Sequence, residues 1–498
     1  FTIQRNNVES VTGASSNFVN DVMKYNNLGA GSIYDKPESS ATQWSLMSYL
    51  ARINYSLYDR YLFSVNGRVD GSSRFGGNNK YGFFPSGSVA WRISEEGFME
   101  PVKAVINNLK LRTSYGFTGN TEIGVYESLA TLGSNSWTIG NQLVSGFYPN
   151  RIPNPDLKWE KTGQFDIGFD LGLFNNRLRL TADYYYKKTT DLLYNVAIPS
   201  ASGYDSMLKN IGSVQNKGYE LSIESDNLSG AFSWTTAFNI SFNRNKVLEL
   251  GGETYKDVGT YDDHLKTSDI RRLIVGQPIG VFYGYRFDGI FQNEAECAQQ
   301  TSSPSPIGVG LRRYKDLNGD GKIDATNDRE ILGDANPKFF GGMTNTFAYK
   351  GFELNVFLQY SYGNKIFNYN AMELESPTGG QNVYQDLVNR WTPTNPSNEY
   401  QKATTNRNNI VSDRFIEDGS FLKLKTVSLS YSFPKLNWKH IGGLRLYVTG
   451  QNLLTWTKYR GYDPEVSYRG ASTLEAGEDF GGYPQARTFM FGIKLDIK

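Results

Sequence analysis

Hydrophobic and polar residues alternate with a period of two along most of this chain. In the segment QFDIGFDLGL, every second residue from Phe165 to Leu173 is apolar, and polar residues or glycines occupy the positions between them. The same alternation recurs in residues 47–57, 232–242, 352–360 and 489–497. A period of two predicts β-strands that have one apolar face and one polar face.

The lengths of these strands and of their connections distinguish a membrane barrel from a soluble sandwich, since both alternate. We count about thirteen strands, many of ten or more residues, which matches the tilted span of a bilayer. Short connections lie near residues 58–60, 175–176, 226–230 and 350–351, with longer turns near 95–107 and 434–442. Long connections cover residues 70–84, 119–157, 195–215, 249–337, 369–418 and 460–485. Because the two kinds alternate strictly, the sequence predicts an all-β, transmembrane antiparallel β-barrel with short periplasmic turns and long extracellular loops.

The predicted strands and connections indicate how the chain is divided. Residues 1–40 are expected to form an extracellular loop segment that enters the barrel, and residues 41–498 the barrel itself, with a large extracellular loop at 249–337. Single-chain bacterial barrels have an even strand number, so a count of about thirteen indicates a miscount by one or further strands outside this chain. The opening FTIQRNNVESVTG has neither the basic start nor the apolar core of a signal peptide, so we expect it to continue an earlier segment.

Two local features refine the strand assignment. In SFLKLKTVSLSYSF the alternation changes phase between Leu424 and Val427, which predicts a bulge or the point where the strand leaves the membrane. Aromatic residues cluster at strand ends, at Tyr184–Tyr186 and at Trp456 and Tyr459. These are the positions where a membrane girdle would place them.

Composition excludes several classes of function. No apolar run approaches 18 residues, which excludes transmembrane helices. Net charge is +1, with 51 basic and 50 acidic residues, so nothing favours nucleic acid as a partner. The single cysteine, Cys297, cannot form an intrachain disulfide or a thiolate zinc site. His264 and His440 lie far apart, and no nucleophile-elbow, Walker or dinucleotide motif accompanies them, so we do not predict an enzyme.

The stretch DLNGDGKIDATND, residues 316–328, has the spacing of a calcium-binding loop. Carboxylate and amide oxygens recur at alternate positions, and Gly321 permits the sharp turn that follows them. The twelfth position holds Asn327 instead of a bidentate glutamate, and the nearest carboxylate is one residue late. The predicted calcium ligands are Asp316, Asn318, Asp320, Lys322 through its carbonyl, Asp324 and Asp328. The alternative is a solvated acidic turn that binds nothing.

Several longer stretches resemble one family of membrane transporters. They are YDRYLFSVNGRVDGSSRFG, FFPSGSVAWRISEEGFM, NPDLKWEKTGQFDIGFDLGLFNNRLRLTADYYYKKTTDLL, NKGYELSIE, DLNGDGKIDATNDREILGDANPKFFGGMTNTFAYKGFELNVF, FIEDGSFLKLKTVSLSYSF, LRLYVTGQNLL and YPQARTFMFGIKL. In this order and spacing the chain resembles the SusC/RagA-like TonB-dependent outer-membrane transporters of Bacteroidota-type Gram-negative bacteria. The resemblance covers nearly everything after residue 40.

The resemblance implies an architecture and partners that the residues alone do not. It implies that the chain is the C-terminal part of a barrel of about 22 strands, and that the N-terminal plug and the segment that contacts TonB are absent from this chain. It also implies a SusD-like surface lipoprotein that covers the extracellular mouth, usually in a dimer of such pairs. Calcium in the loop at 316–328 would then stabilise the large extracellular loop at 249–337.

The leading functional hypothesis is TonB-dependent import of oligosaccharides without covalent chemistry. Trp137, Tyr148, Tyr384 and Trp391 are aromatic residues in long loops that could stack on sugar rings. Import of peptides by the same family architecture is one alternative. A surface barrel that binds glycans or mediates adhesion without transport is another.

Overall fold

The regular secondary structure of the protein is almost entirely β-strand. The computed structural model describes residues 1–497 except 205, 260–266, 268–269, 377–381, 406–408, 435–440 and 471. The strands are β1 (Thr2–Thr12), β2 (Ser15–Ser16), β3 (Ile33–Tyr34), β4 (Glu38–Leu57), β5 (Tyr61–Ser72), β6 (Tyr81–Arg92), β7 (Ile106–Asn120), β8 (Thr131–Ile139), β9 (Gln142–Arg151), β10 (Glu160–Leu173), β11 (Leu178–Thr190), β12 (Leu193–Ala197), β13 (Ser206–Asn210), β14 (Ser213–Leu228), β15 (Phe232–Glu249), β16 (Tyr255–Val258), β17 (Arg271–Ile274), β18 (Val281–Tyr285), β19 (Phe287–Ile290), β20 (Arg312–Tyr314), β21 (Arg329–Gly333), β22 (Phe339–Tyr349), β23 (Phe352–Tyr362), β24 (Lys365–Asn368), β25 (Ile416–Asp418), β26 (Phe421–Ser432), β27 (Ile441–Thr457), β28 (Glu478–Asp479) and β29 (Thr488–Ile497). Two short α-helices, α1 (Glu294–Cys297) and α2 (Tyr369–Leu374), lie in loops. Neither helix has the length or the apolar character needed to cross a membrane, and the same holds for every helix in the described ranges.

In the described part of the chain, fourteen strands form one antiparallel sheet, which we call the barrel wall. Its order is β1-β4-β5-β6-β7-β10-β11-β14-β15-β22-β23-β26-β27-β29. Among the described residues, β1 pairs only with β4, and β29 pairs only with β27. The predicted all-β barrel class is confirmed.

The strand count exceeds our expectation of about thirteen by one, because residues 1–40 are not all loop. Residues Thr2–Thr12 pair in register with Glu38–Ser48 of β4 and belong to the wall. The expected boundary at residue 40 was therefore wrong. TIQRNNVESVT contains few apolar residues, so its alternation is weak, and its place in the wall is fixed by backbone hydrogen bonds to β4.

The register places the apolar residues of neighbouring strands on one face of the wall. Phe165 lies opposite Tyr186 and Ile167 opposite Tyr184, and Asp170 faces the other way, opposite Thr181. The apolar face is exposed in the structure, as with Tyr219 at 62%. An exposed apolar face and a polar inner face are typical of a membrane barrel, so the apolar face is the lipid-facing one.

Short and long connections alternate along the wall as predicted. One end carries residues 58–60, 93–105, 174–177, 229–231, 350–351 and 433–440, of which 435–440 lie outside the described residues. The other end carries residues 13–37, 73–80, 121–159, 191–212, 250–338, 363–420 and 458–487. The end with the long connections is the extracellular end.

The phase change in β26 is a bulge. Against β23, Leu424 pairs with Leu358 and Thr426 with Phe357, so Lys425 is the extra residue. Against β27, Leu424 pairs with Leu454 and Thr426 with Gln451, so on that side β27 has the extra residue. The predicted bulge is confirmed, and it lets apolar residues on both sides of Lys425 face the lipid.

The largest buried hydrophobic cluster lies outside the barrel wall. It joins Phe282 of connection 250–338 to Phe367, Tyr369 and Phe415 of connection 363–420, and Phe480 of connection 458–487 packs against it. We call these three connections the loop cap. Short strands add to it: β24 pairs antiparallel with β25 and parallel with β28. The long loops therefore form a packed body with its own core.

Candidate functional site

The loop cap is held together by buried ion pairs between its three connections. Arg271 Nε lies 3.0 Å from Glu478 Oε1, and both side chains are 1% exposed. The same guanidinium donates to the carbonyl oxygens of Gly280 and Ala476. Burial lowers the pKa of Arg271 and raises the pKa of Glu478, while their mutual attraction opposes both changes. This pair fixes connection 458–487 against connection 250–338.

A second charged cluster joins connections 363–420 and 458–487. The buried carboxylate of Glu375 accepts from Arg414 Nε at 2.8 Å and from Arg460 Nη1 at 3.1 Å. Arg460 also contacts Glu417 at 2.9 Å. In the same region the Tyr459 hydroxyl donates to Asp479 at 2.5 Å, and burial raises the pKa of that tyrosine. Tyr459 is therefore buried, and its predicted place in a membrane girdle is wrong.

The loop cap also contacts the inner face of the barrel wall. Lys423 of β26 is 3% exposed, and its Nζ lies 2.6 Å from both Asp463 Oδ1 and Glu465 Oε2. Glu465 additionally accepts from Gln359 of β23 at 2.9 Å. Connection 458–487 thus folds back onto the inward side of β23 and β26. Our sequence reasoning missed these residues, although the inward parity of Lys423 was a usable signal.

The inner face of the wall is polar and carries paired charges. Arg112 of β7 lies 2.6 Å from Asp183 of β11 and 3.3 Å from Asp170 of β10. Lys110 lies 3.7 Å from Asp170. Beside this network is a concave region of about 520 Å³, lined in part by Asn54, Ser64, Ser88, Ser114 and Arg112. An inner surface of hydroxyl, amide and charged groups suits a hydrated solute.

The predicted calcium loop is closed by backbone hydrogen bonds to its carboxylates. Asp316 accepts from the amides of Gly319 and Gly321 at 2.6 and 2.7 Å, and Gly321 adopts the positive φ, 77°, that the turn requires. Asp324 accepts from Asn327 and Thr326, and these bonds lower its pKa. Asp320 Oδ1 accepts from Lys322 N at 2.8 Å, and Asn318 Oδ1 accepts from Asp320 N.

Asp328 closes the loop in place of the missing glutamate. It is fully buried, and its two oxygens accept from Leu317 N and Asp324 N, both at 2.8 Å. In the described part of the chain, no three His, Cys, Asp or Glu side chains are grouped as a metal site. The oxygen donors are of the type calcium prefers, but the carboxylates point to backbone amides and do not converge. Calcium binding stays a prediction.

The four aromatic candidates lie in two different settings. Tyr384 packs against the core of the loop cap, and burial raises its pKa. Trp391 donates from Nε1 to Gln292 at 3.0 Å and packs against Gly310. Trp137 and Tyr148 lie on the separate hairpin β8–β9 and are 55% and 44% exposed. The structure therefore does not bring the four residues together on one element.

Trp137 and Tyr148 share one face of their hairpin. Tyr148 lies opposite Gly133, and a Cβ at Gly133 would be 2.5 Å from its ring. A Cβ at Gly146 would be 2.7 Å from the ring of Trp137. Both rings thus cover glycines of the other strand. Exposed apolar residues also occupy the second face of the hairpin: Leu132, Leu143 and Phe147.

Other reactive groups do not form a catalytic arrangement in the described residues. Cys297 is buried, and burial raises the pKa of its thiol, which disfavours the nucleophilic thiolate. His264 and His440 lie outside the described residues.

Comparisons with known proteins agree with this geometry. The family described as TonB dependent receptor-like, beta-barrel, matches residues 4–295. TonB-dependent receptor P3 of Formosa agariphila is 40% identical, over 99% of this chain and 50% of the relative. TonB-dependent receptor SusC of Bacteroides thetaiotaomicron is 32% identical, over 92% of this chain and 44% of the relative. The chain therefore spans about half the length of the curated relatives it matches.

A solved structure extends the comparison to three dimensions. The structure titled "Structure of the RagAB peptide transporter" superposes with a TM-score of 0.81 and 27% identity, over 99% of this chain and 52% of that chain. Its similarity includes the wall and the long connections, since nearly the whole chain is covered. The lipid-facing wall and these relatives assign the chain to the bacterial outer membrane. The chain belongs to the TonB-dependent receptor-like β-barrel family, as a barrel portion of the SusC/RagA-like type.

Proposed function

We propose that this chain forms the wall and extracellular roof of a TonB-dependent importer of oligosaccharides. The observation that carries the proposal is the polar inner wall roofed by the loop cap, in a member of this family. Substrate would enter between the extracellular loops and move inward along hydroxyl and amide groups. Energy coupling would come from a plug and a TonB-contacting segment outside this chain. No covalent step is needed.

Uptake in cells tests the import proposal. A strain that lacks the gene is supplied with single glycans or peptides, and the same strain carrying the full-length gene is the control. We expect growth on one glycan to be lost and then restored by the gene. Undiminished growth of the deletion strain on every glycan and peptide would overturn the proposal.

Peptide import is a second candidate. It is supported by the superposition on the RagAB peptide transporter. The same uptake experiment separates the two, because loss of growth on peptides alone would select this candidate.

A non-transporting surface barrel that binds glycans is a third candidate, and TonB dependence distinguishes it. Cells with and without functional TonB are exposed to a labelled glycan. An importer accumulates label inside the cell only when TonB is present, whereas an adhesion barrel retains label at the surface in both strains.

We also propose that the hairpin β8–β9 docks a SusD-like lipoprotein. Its strands have nine and ten residues, pair only with each other among the described residues, and expose apolar side chains on both faces. An isolated two-stranded hairpin is marginal in water, and exposed apolar patches mark interaction sites. A lipoprotein that covers the hairpin would bury its apolar side chains and stabilise it. The expected assembly is a dimer of transporter–lipoprotein pairs.

Alanine at Trp137 and Tyr148 separates docking from sugar stacking. Loss of two central aromatic anchors is expected to weaken the complex by about 2 kcal/mol or more, measured by co-purification and titration of the lipoprotein. An unchanged complex with reduced glycan uptake would instead assign the rings to the substrate. Trp391→Ala is the matched control, because that ring packs inside the loop cap. Normal complex and uptake in the double variant would contradict both roles.

We propose calcium as a structural ion of the loop 316–328, with the oxygen donors named above. Binding would require carboxylates such as Asp316 to turn from backbone amides toward the ion. Metal analysis of full-length protein purified without chelators is expected to give about one calcium per chain. Less than about half an ion per chain would contradict the proposal.

A further inference from the structure

Five cations lie on the lipid-facing side of the wall near its extracellular end. We call them the basic strip: Lys161, Lys188, Lys217, Arg244 and Lys246. Their orientation follows from the register. Lys217 lies opposite both Tyr186 and Arg244, and two residues along β14 is Tyr219, which is 62% exposed on the lipid face. The strip therefore shares the face that contacts lipid.

The residues on this face change in rows from apolar to basic toward the extracellular end. The first row across β10, β11, β14 and β15 is Ile167, Tyr184, Tyr219 and Phe242. The next is Phe165, Tyr186, Lys217 and Arg244, and the row above it is Gly163, Lys188, Gln215 and Lys246. Aromatic residues mark the boundary of the hydrocarbon layer, so the cations lie at headgroup level of the outer leaflet.

The cations are close together and have no counterion among the residues that the structure describes. Neighbouring strands are about 4.8 Å apart, and alternate residues of one strand are about 6.7 Å apart. Four of the five cations, Lys188, Lys217, Arg244 and Lys246, therefore lie within about 12 Å of one another. None of the five forms an ion pair with a carboxylate of the described residues, although Glu249, opposite Ser213, borders the strip. Lys217 and Arg244 are directly opposed, and like charges in that arrangement destabilise a sheet.

The available hydrogen-bond donors suit a phosphate group. Arg244 Nη1 donates to the carbonyl oxygens of Asn243 and Lys338 at 2.8 and 2.9 Å, which orients its guanidinium at the wall surface. Lys161 Nζ lies 4.1 Å from the ring centre of Phe117. Lys188, Lys217 and Lys246 are exposed. Arginine and lysine side by side are the usual protein groups for phosphate.

We propose that the basic strip binds the phosphate groups of a phosphorylated glycolipid in the outer leaflet, as an annular lipid site. Charge complementarity and the depth of the strip at the membrane boundary favour a membrane lipid over a soluble anion. The bound phosphate offsets the repulsion between Lys217 and Arg244. This site is separate from the polar inner face that would carry substrate.

Lipid titration of the full-length protein tests the site. Delipidated protein in detergent is titrated with lipid A, with phosphatidylglycerol and with inorganic phosphate, and binding is followed by native mass spectrometry and thermal shift. The variant Lys217→Gln/Arg244→Gln is expected to weaken lipid A binding about thirtyfold, since each cation near a lipid surface contributes about fivefold. The control Lys187→Gln/Arg52→Gln removes two inward-facing cations and is expected to bind as the unmodified protein does.

Three outcomes would overturn the proposal. They are equal lipid A binding by the strip variant and the unmodified protein, equal weakening in the inward-facing control, and equal stabilisation by inorganic phosphate or phosphatidylglycerol. Glycan uptake is measured separately, so failure of the lipid site does not depend on failure of the proposed import.

Discussion

Arg271→Met is expected to loosen the loop cap by about 3–5 kcal/mol, because the buried carboxylate of Glu478 loses its hydrogen-bonded partner and keeps only Arg469, whose Nε lies 3.5 Å away. The substitution also removes donors from the carbonyls of Gly280 and Ala476. Hydrogen exchange by mass spectrometry, on the full-length protein in detergent, measures the opening free energy of peptides covering residues 271–285 and 472–480. We expect faster exchange there and unchanged exchange in the barrel wall.

The pH dependence of this variant gives a second readout. Burial already raises the pKa of Glu478 above its usual 4.5, and the charge of Arg271 opposes that rise. Without Arg271 the pKa rises further. A carboxyl with a raised folded pKa contributes its full stability below its unfolded pKa and loses it as pH rises through the folded value. Protection of the loop cap in this variant, corrected for intrinsic exchange, should therefore be greatest at and below pH 4.5 and fall as the pH rises above it.

Two controls make the result specific to the buried pair. Arg179→Met breaks the exposed pair with Glu224 and should cost less than about 1 kcal/mol. The double variant Arg271→Met/Glu478→Met should be closer to the unmodified protein than Arg271→Met is, because the uncompensated carboxylate is removed and Arg469 still lies 4.0 Å from Glu475. Equal protection in Arg271→Met and Arg179→Met would show that the pair does not hold the loop cap.

Phe367→Ala is expected to destabilise the loop cap by about 3–5 kcal/mol through loss of buried contacts and the cavity it leaves. Phe367 is fully buried, and its ring centre lies 4.8 Å from that of Tyr369, 6.1 Å from that of Phe282 and 6.4 Å from that of Phe415. Because these rings come from two connections, both should exchange faster. The same hydrogen-exchange measurement reports the change.

Phe352→Ala is the matched control for that prediction. Phe352 is 51% exposed on the lipid-facing side, beside the short turn at 350–351, at the opposite end of the wall. It should leave exchange in the loop cap unchanged. If both variants loosened the cap alike, or neither did, the buried core would not be the source of its stability.

The features that could be predicted from sequence are those set by local patterning. The alternation in β10 and β23, the alternation of short and long connections, and the bulge at Lys425 all follow from parity. β1 was missed because its residues are mostly polar, so its pairing with β4 rests on backbone hydrogen bonds that leave no mark in composition. Tyr185 belongs to a predicted girdle cluster yet faces inward, donating to Asn243 at 3.0 Å, since neighbours in a strand alternate faces.

The candidate site was less accessible to sequence reasoning. The loop at 316–328 was found from its spacing, but the role of Asp328 required its two backbone partners to be seen. Trp137 and Trp391 look equivalent as loop aromatics, and only the structure separates an exposed hairpin from a half-buried position within the loop cap. The pairs Arg271–Glu478 and Lys423–Asp463 join residues 207 and 40 positions apart, a distance that no local pattern spans.

By itself the sequence determined the class of this protein: an outer-membrane barrel with a polar inner face, a lipid-facing outer face and long loops at one end. It could do so because side-chain alternation is a property of each strand on its own. The tertiary structure decided how the loops pack into a cap, which charges pair, and that outward cations on four strands meet in one strip. These depend on register and on contacts between distant segments, which only the folded chain brings together.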